Sequence, residues 1–178
     1  MPLKHSGKTP HQLAAAWTQA AKALPMQIAN VAQNFFLDNF RLQGFQGDYG
    51  LQKWPARAPG AVRDQGRALL VNRGVLRRSL TKIVMGKRVR ISVVGPAEKY
   101  AAIHNTGGTT HPTVTPAMRG HFFKLYKATG NKKYLAIATT KKQQLTVNIP
   151  QRKFIGNSRQ LNSKIEKMIV AKMRKAFT

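Results

Sequence analysis

The chain has 178 residues, enough for one domain with a real core and too few for two comfortable ones. Its 31 Lys and Arg face only 5 acids, a formal net charge of +26. Such a chain repels itself at low salt and is drawn to polyanions, so nucleic acid or an acidic protein surface is expected nearby when it works. An apolar share of 42% argues against wholesale disorder, and the absence of cysteine excludes disulfide frameworks, thiolate metal sites and a Cys nucleophile.

Residues 9–40 carry a helical pattern, with Leu13, Trp17, Leu24, Ile28, Val31 and Phe35 on one face. Thr9 followed by Pro10 is a start signal, and Pro25 predicts a kink or a second start, hence a short arm and then a longer helix. The apolar run here is broken by Trp17, Gln19 and Lys22, unlike a secretory signal core, and no window of about 18 apolar residues exists to span a membrane. The expectation is a cytoplasmic product that stays soluble until it assembles.

Residues 41–68 are rich in Gly and Arg with two Pro, and predict a long loop without regular structure; Phe45, Tyr49 and Trp54 suggest that it orders against a neighbour. Residues 79–93 predict a hairpin about Gly86-Lys87, in which Val89, Ile91 and Val93 alternate with Arg88, Arg90 and Ser92. A helix is predicted over 116–126. A second hairpin is predicted between 134–139 and 145–149, joined by Lys141-Lys142-Gln143-Gln144. The last helix begins near Ser158 or Ser163, where Ser163-Lys164-Ile165-Glu166 has capping-box form, and carries Leu161, Ile165, Met168, Ile169, Lys172 and Ala176 as a stripe. The sum is an α+β fold: an antiparallel sheet packed on N-terminal and C-terminal helices, with 1–40 as helical arm and helix and 41–178 as a single domain.

Chemistry is poorly supplied. Asp38, Asp48, Asp64, Glu98 and Glu166 are scattered, and no spacing pairs two carboxylates, so an enzyme is not expected. His104, His111 and His121 match no metal-ligand spacing and read as polar loop residues; no metal or cofactor is expected. Gly107 and Gly108 lack the Lys and helix of a phosphate loop and read as a turn needing unusual φ. Three basic clusters are candidate contacts for DNA or an acidic partner: Arg73, Arg77 and Arg78; Lys87, Arg88 and Arg90; Lys141 and Lys142. A solvated charged face accounts equally well for any one of them. The run Phe122-Phe123-Lys124-Leu125-Tyr126-Lys127 reads as core with flanking charge in preference to a single-strand stacking platform.

Three segments in order carry a resemblance. Trp54-Pro55 in a polar loop leads to Leu69-Leu70-Val71-Asn72-Arg73-Gly74-Val75-Leu76-Arg77-Arg78-Ser79-Leu80; then comes Tyr100-Ala101-Ala102-Ile103-His104-Asn105-Thr106-Gly107-Gly108; then Ile149-Pro150-Gln151-Arg152-Lys153-Phe154-Ile155-Gly156-Asn157-Ser158. Together they resemble the phage virion morphogenesis family, the tail-completion or neck proteins of Mu-like and P2-like phages, although Arg73 stands where the family pattern has Thr. The motif residues are Trp54, Gly74, Leu76, Tyr100, His104, Gly107, Pro150, Arg152, Phe154 and Gly156. Relative to shorter members, 109–148 looks like an insertion. The resemblance implies a structural neck protein of the virion (head-tail connector, tail-completion or tail-terminator component), forming a homo-oligomeric ring, a hexamer by analogy. Its partners would be other neck and tail proteins and passing genomic DNA, with no membrane. The rival reading is a sequence-independent nucleic-acid-binding protein acting in the cell, for which the charge is the whole case.

Overall fold

The computed structural model describes residues 7–57 and 66–177. The expected Asp64 and the side chain of Ala176 lie outside what it describes, as does part of the 41–68 segment. The chain forms two compact units, Met1–Thr106 with Gln151–Thr178, and Gly107–Pro150.

In the first unit α1 (Pro10–Leu42) opens on a complete capping box: the Thr9 side chain accepts from the Gln12 N–H, and the Gln12 side chain accepts from the Thr9 N–H. Pro25 does not divide it; one helix of 33 residues runs through. The good helix formers Ala20, Ala21, Ala23 and Leu24, with packing of α1 on the terminal helix, outweigh the one lost backbone bond. The buried face is set by Ala29, Ala32, Phe35, Phe36, Asn39 and Phe40, whereas Trp17, expected inside, is 45% exposed. The core therefore lies under the C-terminal half of α1.

Where a structureless loop was expected after residue 41, the chain makes a hairpin, β1 (Gly44–Gly47) and β2 (Gly50–Lys53), turning at Asp48-Tyr49. The glycines taken as breakers serve close approach: a Cβ on Gly44 would stand 2.6 Å from the Gln52 carbonyl oxygen. Phe45 and Trp54 are buried in the core, while Tyr49 is 91% exposed at the turn. A single helical turn, α2 (Val75–Arg78), then precedes β3 (Leu80–Met85) and β4 (Arg88–Val93). This antiparallel pair turns at Gly86 (φ 59°) and Lys87, as its alternation requires. A short 3-10 turn (Gly95–Ala97) leads into α3 (Glu98–Thr106).

The terminal helix α6 (Arg159–Phe177) starts after Ser158, not at Ser163. The Ser158 hydroxyl accepts from the Leu161 N–H at 3.3 Å and donates to the Gln46 carbonyl at 2.7 Å, and Asp48 Oδ1 accepts from the Arg159 N–H at 2.8 Å. A cap anchored to the β1–β2 hairpin prevails over the local Ser163 pattern, which falls inside the helix.

The second unit holds β5 (Gly108–Thr110), α4 (Pro116–Thr129), α5 (Lys132–Ala138) and β6 (Val147–Ile149). The expected 134–139 strand is α5 instead: Asn131 caps it by accepting from the Lys133 N–H at 3.0 Å, and Tyr134 stacks on Phe122 of α4 at 6.0 Å. Short apolar runs do not distinguish strand from helix by pattern alone. The partner of β6 is β5. The class is thus α+β, with the strands distributed over three two-stranded antiparallel sheets.

The first unit's core centres on Phe40, which meets Trp54 edge-on at 5.6 Å and Phe154 at 5.4 Å. Phe154→Ala is expected to cost about 3–5 kcal/mol in urea unfolding. Asn39→Ala is expected to cost roughly 1–3 kcal/mol for each buried group it leaves unpaired. By contrast Tyr49→Ser should stay within about 0.5 kcal/mol.

Candidate functional site

Residues 151–158 have no helix or strand, yet they cross the core, and side chains from elsewhere satisfy their backbone. Asn105 Oδ1, at the end of α3, accepts from the N–H groups of Phe154 (2.9 Å) and Ile155 (3.0 Å). Asn39 Nδ2 donates to the Phe154 carbonyl at 3.1 Å, while its Oδ1 accepts from the Gln46 backbone N–H and Nε2, both at 3.2 Å. Trp54 Nε1 donates to the Lys153 carbonyl at 2.7 Å. The Arg152 N–H donates to the His104 carbonyl at 2.8 Å. Buried backbone polar groups must find partners, and here the three sequence motifs supply them to one another.

Arg152 is the buried cation of this site. Its Nε donates to the Pro55 carbonyl (3.0 Å) and its Nη2 to the Ala56 carbonyl (3.1 Å), so the guanidinium ties the third motif to the Trp54-Pro55 loop. Burial first, and then the charge of Arg57, lower its pKa from the ordinary arginine value. Arg57 is itself held by the carbonyls of Arg67 and Ala68.

A cleft of about 440 Å³ opens beside these groups, lined by Arg57, Arg73, His104 and Arg152 among apolar side chains including Leu70 and Tyr100. His104 stands edge-on to Tyr100 at 5.9 Å, one helical turn away on α3. Its Nδ1 is buried without a hydrogen-bond partner among the described residues. Burial, and secondarily the charge of Arg152, hold its imidazole pKa below the ordinary value. Leu70 lines the cleft with φ 57°, a left-handed conformation that costs a non-glycine residue about 1–2 kcal/mol. The expectation that the histidines are loop residues is corrected: His104 lies on α3 and His121 on α4, while His111 falls between β5 and α4. The group of His104 that the third motif uses is its backbone carbonyl.

The remaining motif residues are structural. Gly74 (φ 69°) begins α2 in the left-handed region, and Leu76 and Phe154 are buried in the core. Gly107 (φ 72°) and Gly108 (φ 142°) make the turn that the sequence required. A Cβ on Gly156 would meet the Lys153 side chain at 2.2 Å. Pro150 closes the second unit.

Of the basic candidates, Arg73, Arg77 and Arg78 line one shallow cavity of about 530 Å³ with Gln33 and Leu80. Lys87, Arg88 and Arg90 sit exposed at the tip and on the second strand of the β3–β4 hairpin. Lys141 and Lys142 are exposed in the second unit. The acids are spread out: Asp38 pairs with Arg41 at 3.1 Å, Asp48 binds the α6 start, Glu98 opens α3 and Glu166 lies within α6. Among the described residues no three His, Asp or Glu side chains gather as a metal site, and no helix is long and apolar enough to cross a membrane. The sequence reading missed Asn39, Arg57 and Asn105. An Asn flanked by Phe35, Phe36 and Phe40 on an apolar helix face is the signal that would have found the first.

Because folding lowers the His104 pKa, the unfolded chain holds that proton more readily. Stability is therefore complete above the unfolded imidazole value of about 6.5 and is lost as pH falls from there through the folded value. Urea midpoints measured between pH 8 and pH 5 should fall over that range, and His104→Gln should flatten the fall.

The phage virion morphogenesis family is described by a model that matches residues 13–174 of this chain. Comparison with curated proteins and with solved structures finds no match. The match takes in most of α1, all three motifs around Arg152 and most of α6, and on that ground the chain belongs to the phage virion morphogenesis family.

Proposed function

We propose that this protein is a structural component of the phage neck, a connector, completion or terminator protein that forms a ring at the head-proximal end of the tail. The observation that carries the reading is the family match over 13–174, which covers almost the whole chain. On this reading the protein works by binding and not by chemistry; the four described acids lie apart on α1, the β1–β2 turn, α3 and α6. The β1–β2 hairpin with its exposed Tyr49, and the unit Gly107–Pro150, are the surfaces offered to neighbouring subunits and tail proteins. The ring is a hexamer by resemblance, assembled from chains that wait in the host cytoplasm. Exposed Arg73, Arg77, Arg78, Lys87, Arg88, Arg90, Lys141 and Lys142 would offset phosphate charge on passing genome, or meet an acidic partner, without reading bases.

The charge of +26 also favours a second reading, a sequence-independent nucleic-acid binder in the cell. That reading requires tight binding of duplex DNA by the isolated monomer, with log affinity falling steeply against log salt. The neck reading predicts weak binding by the monomer.

Deleting the gene from its phage, inducing, and imaging the lysate separates the two. Filled heads apart from tails, or tails of abnormal length, are expected. Infectious particles of normal form and number from the deletion would contradict the neck reading.

A further inference from the structure

The cleft between α2 and α3 differs from the rest of the basic surface. Elsewhere the cations stand exposed on the outside of a turn or strand, as Lys87, Arg88 and Arg90 do, a form suited to a phosphate backbone. Here Arg57, Arg73, His104 and Arg152 border a recess of about 440 Å³ whose other walls include Val71 and Tyr100, and among the described residues no carboxylate lines it. That volume is within the range of sites that enclose a small ligand or a few side chains. Two of the side chains that border it have incomplete hydrogen bonding among the described residues. Arg152 uses Nε and Nη2 on the Pro55 and Ala56 carbonyls, leaving Nη1 without a partner among the described residues. His104 Nδ1 is buried and has no hydrogen-bond partner among the described residues. Arg73 is exposed at the rim and makes no hydrogen bond or ion pair among the described residues.

We propose that this cleft is a docking pocket for an acidic side chain on a partner protein, presented beside an apolar residue. The carboxylate would meet Arg73 and the remaining donor of Arg152, a charge-assisted contact that the planar guanidinium suits, and the apolar neighbour would cover the Val71 and Tyr100 wall. A duplex fits the site poorly, because its phosphates lie on a wide convex surface and bring no apolar group to the recess. The pocket, Arg73 included, is therefore assigned to protein recognition, and the exposed groups at Lys87, Arg88 and Arg90 and at Lys141 and Lys142 to any contact with DNA.

The test uses the full chain, isotope-labelled, with three probes: the capped peptides acetyl-Leu-Glu-Leu-amide and acetyl-Leu-Gln-Leu-amide, and a 12-base-pair duplex of mixed sequence. The Glu peptide is expected to shift the His104 ring and Arg152 Nε–H resonances saturably, and the Gln peptide to bind at least three-fold more weakly. Arg73→Ser should weaken the Glu peptide three-fold or more, whereas Lys87→Ser, on the hairpin tip, should leave it unchanged. Equal binding of the two peptides, no saturable shift at millimolar peptide, equal effects of the two substitutions, or duplex DNA as the strongest ligand of those resonances would each overturn the assignment. The measurement is made on the isolated chain, so its failure leaves the neck reading standing, and failure of the neck reading leaves this site standing.

Discussion

An irregular stretch of chain runs through the core, and the fold of the first unit follows from the need to satisfy its backbone. Residues 151–158 gain no ladder or helical bonds of their own, and a buried peptide group without a partner costs on the order of 1–3 kcal/mol. Asn39, Trp54, Asn105 and the His104 carbonyl supply the partners from α1, the loop after β2 and α3. Once they do, Phe154 is delivered to Phe40 and Trp54, and Ser158 is delivered to the β1–β2 hairpin as the cap of α6. The three motifs are thus one structural device, which explains their residue types without any appeal to catalysis.

Charge is the second constraint. With so few acids, the chain cannot neutralise its cations internally, so nearly all of them remain solvated. Arg152 is the exception, and it is tolerated because backbone carbonyls and not carboxylates receive it. Burial, and secondarily the charge of Arg152, depress the His104 pKa, and the recess beside them is bordered by cations and apolar side chains. A molecule so charged attracts polyanions, an attraction that the proposed place in the neck would have to use or mask.

The elements with strong local signals were legible in the sequence. Thr9-Pro10 marked the start of α1, Gly86-Lys87 marked the β3–β4 turn, and the paired glycines at 107–108 marked the conformation they adopt. Elements decided by distant contacts were not. Gly44 and Gly47 looked like breakers because the close strand they accommodate is visible only in three dimensions. Lys132–Ala138 took helical form with Tyr134 stacked on Phe122 of α4, beside a local Asn131 cap that the strand expectation passed over. The motif residues were readable as a family pattern, but the convergence of Leu76, Tyr100, His104 and Arg152 on one cleft was not, and Arg57 enters it from a position with no marking of its own.

The central claim, that this is a structural protein at the junction of head and tail, is tested most directly by finding the chain in purified wild-type particles. An epitope tag at the C-terminus, labelled with antibody-bound gold and imaged by electron microscopy, gives its position. Gold confined to the head-tail junction is the result predicted here. Intact infectious particles that carry no label, with the tagged protein recovered only from the soluble lysate, would contradict it.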